Sequence, residues 1–264
     1  MDSGDVINRL CLTNKSYSYL EIGICRGTTF RQVNITDKTG VDPYPKLSDV
    51  ELAEMHVEIL TSDEFFSRNN RKFDFIFLDG LHTSDQTAED FVNSIQCSNK
   101  KTIWLIDDVF PDSNAASARS LMKYRMARFF EVLVNRNNTP VGWQGDVFRM
   151  IEKISILKEY FTYWTICEPG FRMQTVVAWN SARFQSRNFD EVRDDLSKNL
   201  DLFLSNVKSS IEIGVPSIFK TQPYLGRKSN KFGQPTDVRT VPDWYCAQNF
   251  NQIESDIKSK MDDF

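Results

Sequence analysis

Short apolar runs alternate with stretches of helical spacing over the first 110 residues, a pattern that predicts βαβ units and a parallel sheet. The runs Ser18–Ile22, Lys38–Asp42, His56–Leu60, Phe73–Leu78 and Thr102–Ile106 are the expected strands. Between the last two, Ala88, Phe91, Val92 and Ile95 recur on one helical face. Ser84–Gln96 is therefore expected as a helix, capped by Thr83 or Ser84. The next stretch is less regular, with a helix over Asn114–Phe130 and a turn-rich segment from Asn137 to Asp146. Tyr160–Cys167 and Met173–Trp179 then follow as two consecutive strands. The expected fold is α/β, a doubly wound, mostly parallel seven-stranded sheet.

After Ala182 the pattern changes. Asn188 followed by Glu191 reads as a capping box, and Phe189, Val192, Leu196, Leu200, Phe203, Val207 and Ile211 follow at spacings of three and four. Gly214 and Pro216 are expected to stop this helix. Residues 217–242 form a connection with a local basic excess at Lys220, Arg227, Lys228 and Lys231. A closing helix capped by Asp243 would turn Trp244, Ala247, Phe250, Ile253 and Ile257 inward. Residues 1–182 are thus expected as the core domain and 183–264 as a helical extension, packed on its own sheet or serving as a lid or dimer arm.

With 41% hydrophobic and 26% charged residues, the 264-residue chain can bury a large core. Its net charge of −4 gives no general attraction to nucleic acid or to an anionic membrane, so neither is an expected partner. The acidic start, with Asp2 and Asp5 and no apolar core, does not read as a signal peptide. Five scattered cysteines without C-x-x-C pairing read as reduced thiols in a cytoplasmic protein.

Ligands of a doubly wound sheet bind outside the carboxyl ends of its strands. The residues just past each expected strand are polar here. Glu21-x-Gly23-x-x-x-Gly27 follows the first, with Cys25 where a dinucleotide loop would place its middle glycine. A Cβ there obstructs approach to a pyrophosphate, which disfavours a nicotinamide cofactor. Asp42, nineteen positions after Gly23, can accept both ribose hydroxyls of an adenosyl group. Ser62 or Asp63 can cap the next helix and also border a ligand. The fourth strand ends in Asp79-Gly80-Leu81-His82 and the fifth in Asp107-Asp108. Three carboxylates and a histidine at one sheet edge imply a hard divalent ion or a shared proton used in base catalysis.

From about Tyr17 to Trp179, roughly 60% of the chain, these features resemble the class I S-adenosylmethionine-dependent methyltransferases, whose Rossmann-like sheet ends in an antiparallel strand. The segments Phe73–His82 and Ile106–Pro111 are similar to the branch that methylates sugars and other small polar acceptors. The macrocin-type members hold magnesium with an Ile-Asp-Gly-Asp segment and a later Asp-Asp pair. By that resemblance Asp79 is a candidate general base, and Asp107 and Asp108 are candidate metal ligands, while Leu81 replaces the second acid. A related, glycan-associated group keeps Asp-Gly-x-His and a Trp-x-Gly-Asp-Val segment, which Trp143–Val147 matches more closely. The resemblance implies S-adenosylmethionine as cofactor, bound by Glu21, Gly23, Gly27, Asp42, Ser62, Asp63 and Asp79. It also implies His82, Asp79 and Asp108 as catalytic groups, a small-molecule or saccharide acceptor, and magnesium as a candidate ion.

The expected reaction is O-methylation by in-line transfer with a His/Asp base. Trp143, Phe110, Tyr124 and the basic 220–231 stretch are candidates to line the acceptor pocket, and a homodimer is an open expectation. Two other readings remain open. One is a metal-dependent hydrolase or glycan-processing enzyme using Asp79, Asp107 and Asp108; the other is an adenosyl-cofactor binding protein without catalysis.

Overall fold

The computed structural model describes residues 1–135, 142–185, 187–211 and 241–262. Four parallel strands form the first half of the sheet, β1 (Ser18–Ile22), β2 (Asp37–Val41), β4 (Phe75–Leu78) and β5 (Ile103–Ile106), with the two-residue β3 (Val57–Glu58) at the edge. β4 and β5 are buried throughout, as strands covered on both faces must be. On the far side β7 (Thr175–Trp179) enters antiparallel between β5 and β6 (Phe161–Ile166). The strand order is β3-β2-β1-β4-β5-β7-β6, extended by β8 (Ala247–Gln248). Among the described residues the sheet therefore has eight strands where seven are expected; the extra one comes from the segment after residue 182.

Register explains where the site lies. Ile22 pairs with both Val41 and Leu78, and Leu78 pairs with Ile106. The next residues, Gly23, Asp42, Asp79 and Asp107, are thereby brought to one edge.

Side-chain alternation divides the core in two. Leu20, Ile22, Ile76, Leu78, Trp104 and Ile106 face α5 (Ser84–Ile95), α7 (Phe148–Lys153) and α8 (Phe189–Ser210). Tyr19, Phe75, Phe77, Ile103 and Leu105 face α1 (Ser3–Asn14), α2 (Thr28–Gln32) and α9 (Phe250–Asp262). Helix α1 is opened by an Asp2–Asp5 capping box and pairs with α9, where Arg9 binds Glu254.

Several helix boundaries differ from expectation for identifiable reasons. The helix expected from Asn114 starts at Leu121 as α6 (Leu121–Asn135), because the Ala116 carbonyl is taken by the N–H groups of Gln144 and Gly145. Neither Thr83 nor Ser84 caps α5 with its side chain; Asp146, 62 positions away, accepts the Ser84 N–H at 2.9 Å. Helix α4 (Ser62–Arg68) is capped by Thr61 through a box with Glu64, not by Ser62 or Asp63. The Asn188–Glu191 box opens α8 as read.

The closing helix begins at Phe250 rather than Asp243. Tyr245 is buried and donates to the Val109 carbonyl at 2.6 Å, and Cys246 turns left-handed, which breaks any helix there and delivers β8 to the sheet edge. Phe250, Ile253 and Ile257 are buried. The proposed stop at Gly214 and Pro216 and the basic residues 220–231 lie outside the described residues.

Candidate active site

A cleft of about 590 Å³ opens at the carboxyl edge between β1, β2 and β4. Its wall includes Gly23, Cys25, Asp42, Ser62, Asp63, Asp79 and His82, and also Gln86 and Asp90 from α5. Gly23 stands where β1 passes closest to β4: a Cβ on it would lie 2.0 Å from the Asp79 carbonyl oxygen, and its φ of +94° suits glycine. Asp42 accepts the Cys25 N–H at 2.8 Å and the Tyr44 N–H at 2.7 Å, so it pins the turn as well as facing the cleft. A carboxylate has about four lone-pair sites, which leaves acceptor capacity for a ligand hydroxyl.

Two residues assigned to the cofactor do not reach the cleft wall. Gly27 opens α2, and Glu21 points to the opposite face, buried, where it accepts the Tyr19 hydroxyl at 2.6 Å. Burial drives the Glu21 pKa up to about 8, partly offset by Tyr19 and Lys38. The β-strand period of two puts Tyr19 and Glu21 on one face and Ile22 on the other, so this orientation follows from the strand itself.

Gln86 and Asp90 are not among the residues expected from sequence. Gln86 Nε2 bonds Asp90 at 3.0 Å, and Ser62 and Asp63 at 3.4 and 3.3 Å. Burial raises the Asp90 carboxyl to about 6, against the hydrogen bonds from Ser62 and Gln86. An Asp four residues after a Gln on the predicted amphipathic helix was the available signal.

The catalytic candidates meet at the rim. His82 Nδ1 lies 2.6 Å from Asp108 Oδ2 and 3.9 Å from Asp79 Oδ1. Burial acts to lower the proton affinity of His82, but the hydrogen bond and charge of Asp108 outweigh it and hold the pKa above 6.5. Asp79 is pushed well above the usual carboxylate range by burial, then by Asp107 and Asp108. Asp107 is raised to about 6 by burial and Asp108, against the Asp108 N–H, Gln174 and Arg172.

Backbone strain is concentrated here. Of the five non-glycine residues with positive φ among those described, Cys25, His82 and Asp108 border this site. His82, at +58°, is held by the Trp143–Val147 segment: Asp146 donates its N–H to the His82 carbonyl at 3.2 Å. A Cβ on Gly145 would lie 1.6 Å from that same carbonyl oxygen. The Asp146 carboxylate meets Arg119 at 3.2 Å and Arg149 at 3.3 Å, and Arg119 also binds Asp85. The Trp143 ring packs edge-on to His82 at 5.3 Å, whereas Phe110 is core, tilted against Tyr245, and lines no part of the cleft.

Among the described residues, one group of potential ligands is close enough to share an ion, namely Asp79, His82 and Asp108. Asp107 is outside it, and its Oδ1 accepts the Asp108 N–H at 2.8 Å. Magnesium takes an octahedron of oxygens at about 2.0–2.1 Å. The Asp108 oxygen lies within hydrogen-bond reach of an imidazole nitrogen, and of the expected Asp107–Asp108 pair it is Asp108 that belongs to this group. The cleft itself suits a different cation. Among the described residues its wall carries Asp42, Asp63, Asp79 and Asp90 with no lysine or arginine, a lining that favours a cationic ligand and disfavours phosphate.

The sheet order with β7 reversed and the cleft over its carboxyl ends define an α/β, Rossmann-like methyltransferase fold. Residues 20–109, about a third of the chain, match the family model described as "Methyltransferase domain". The chain thus carries a methyltransferase domain, an enzyme domain of the transferase class, and the matched stretch includes every predicted site residue. Similar solved structures include a Staphylococcus aureus protein described as a caffeoyl-CoA O-methyltransferase, at 16% identity and TM-score 0.48, covering 67% of this chain and 83% of that one. An O-methyltransferase from Bacillus cereus in complex with S-adenosylhomocysteine shows 14% identity and TM-score 0.41, covering 67% and 80%. The S-adenosylhomocysteine-bound methyltransferase PaMTH1 from Podospora anserina shows 14% and 0.42, covering 67% and 77%. No curated protein matches the sequence.

Proposed function

We propose that the protein is an S-adenosylmethionine-dependent O-methyltransferase acting on a hydroxyl of a sugar or other small polar acceptor, with His82 as general base. The observation that carries this reading is the His82–Asp108 pair at the rim of a cleft that, among the described residues, is rich in carboxylates and free of lysine and arginine. Bound S-adenosylmethionine supplies a methyl group on a sulfonium, a cation that such a wall stabilises. Asp42 accepts from ribose hydroxyls, and Ser62, Asp63, Gln86 and Asp90 border the other end of the adenosyl group. His82 turns Nδ1 toward Asp108, which leaves Nε2 to take the proton of the acceptor hydroxyl. Asp79, whose carboxyl is pushed above the usual range by burial and then by Asp107 and Asp108, lies beside this base, 3.9 Å from His82 Nδ1. Trp143 offers an apolar wall beside His82. Positioning of this kind lowers a barrier by up to about 7–11 kcal/mol, and a placed base adds about 10²–10⁴-fold. No step requires a metal. Residues 1–182 carry the chemistry in this reading, and α8 and α9 brace it.

Calorimetric titration with S-adenosylhomocysteine, with NAD as control, tests the donor half. Binding of the first alone, lost in Asp42→Ala, is the expected result; NAD binding would overturn it. For the acceptor half, His82→Ala should keep cofactor binding and lose methyl transfer, and EDTA should leave the wild type active. Full transfer by His82→Ala would end the proposal.

A further inference from the structure

Helix α6 carries an apolar face that the described residues leave exposed. Met122, Met126, Phe129 and Leu133 recur at spacings of four and three, Phe130 lies beside them, and all five are more than half exposed. At 100° per residue these positions occupy about 100° of the helix circumference. Lys123 and Arg125, both exposed, border that face on opposite sides. The helix carries Lys123, Arg125 and Arg128 against one acid, Glu131. The overall charge of −4 conceals this local cationic element.

Charge selects among the occupants this face could take. A second copy in two-fold contact would set the same cationic borders against each other. The chain's own 212–240 segment carries Lys220, Arg227, Lys228, Lys231 and Arg239 against Glu212 and Asp237, which is again the same sign. An anionic lipid surface complements both features: the apolar centre enters the headgroup–acyl boundary, and the long stems of the basic residues reach the phosphates.

We propose that α6 docks the protein onto an anionic membrane surface. The helix lies in the interface; no helix among the described residues is long and apolar enough to cross a membrane. Its first residue stands two positions after Arg119, whose guanidinium is bound to Asp85 and Asp146 under the His82 loop. The helix thus follows directly on the segment that is tied to the His82 loop. The proposal does not depend on methyl transfer, and its test reads binding alone.

The test is co-sedimentation with phosphatidylcholine vesicles, with and without phosphatidylserine. Binding is expected only with phosphatidylserine present. It should fall by roughly tenfold or more in the double variant Lys123→Glu/Arg125→Glu, and likewise in Phe129→Ser/Phe130→Ser, with circular dichroism and thermal melting unchanged. If the phenylalanine variant does not fold, the exposed charge variant carries the test. Wild-type protein that ignores phosphatidylserine vesicles, or variants that bind as well as wild type, would overturn the proposal. So would a concentration-dependent dimer abolished by Phe129→Ser/Phe130→Ser, or binding to an acidic protein, with no vesicle binding; these would give the face to a second copy or to a protein partner.

Discussion

His82 is subject to two opposed influences, and the balance between them sets when it can act. Burial favours the neutral ring, while Asp108 at 2.6 Å favours the cation and wins. The base form therefore accumulates only above pH 6.5. The acid limb of kcat/KM should turn above that value in the wild type. In Asp108→Asn it should shift to lower pH, with a reduced plateau, because a weaker and less oriented base is left. A limb that does not move would disconnect Asp108 from the base. Glu21 supplies a second residue-scale prediction, on stability. Its folded pKa of about 8 lies above the ordinary 4.5, so the folded state holds more protons than the unfolded state between those values. Stability from this group is present below pH 4.5 and is lost as pH rises through about 8. Glu21→Gln should melt close to wild type at acid pH and higher than wild type above pH 8, as read by thermal denaturation. The sequence named His82, Asp79 and Asp108 because strand ends are visible as the last apolar residues of a run. It did not show that Glu21 turns away from the cleft or that Asp90 turns into it. Those facts depend on which face of a strand or helix meets the ligand, and a carboxylate inside an amphipathic helix reads as solvent-facing until its neighbours are known.

The element most tightly coupled to the chemistry is the Trp143–Val147 segment. It occupies the Ala116 carbonyl, caps α5 through Asp146, and holds the left-handed backbone of His82. Gly145 has φ +66° and no room for a Cβ, so Gly145→Ala must move the His82 carbonyl or the segment. We expect a loss of about 1–3 kcal/mol of stability and a drop in methyl transfer larger than the change in S-adenosylhomocysteine affinity. Parallel denaturation, calorimetric and turnover measurements would show it, and an unchanged rate would detach the segment from the site. Strands were legible to within a residue or two because buried parallel strands are continuous apolar runs, Phe75–Leu78 being the clearest. The start of α6 and the cap of α5 were not, because both are decided by hydrogen bonds from residues tens of positions away. The 3₁₀ turn at Asp243–Tyr245 and β8 fall in the same class: a helical apolar spacing was present, but Tyr245 was claimed by the Val109 carbonyl.

Across the whole molecule, the segment after residue 182 shares both cores. Val192, Leu196, Phe203, Val207 and Tyr245 are buried with Trp104 and Phe91 on one face of the sheet, and Phe250, Ile253 and Ile257 with Phe75 and Leu105 on the other. A chain cut after Ala182 would expose both faces, and it should show no cooperative thermal transition by circular dichroism. A sharp melt near that of the full chain would mean that the first 182 residues fold alone. The pairing of α1 with α9 has a further consequence, in time. Arg9 meets Glu254, 245 positions later. At synthesis rates of about 5–20 residues per second, the apolar face of α1, with Val6, Ile7 and Leu10, waits roughly ten to fifty seconds for its partner. The nascent chain thus passes through a long interval in which its first helix is sticky and half-covered. Chaperone capture on the ribosome should be centred on that helix.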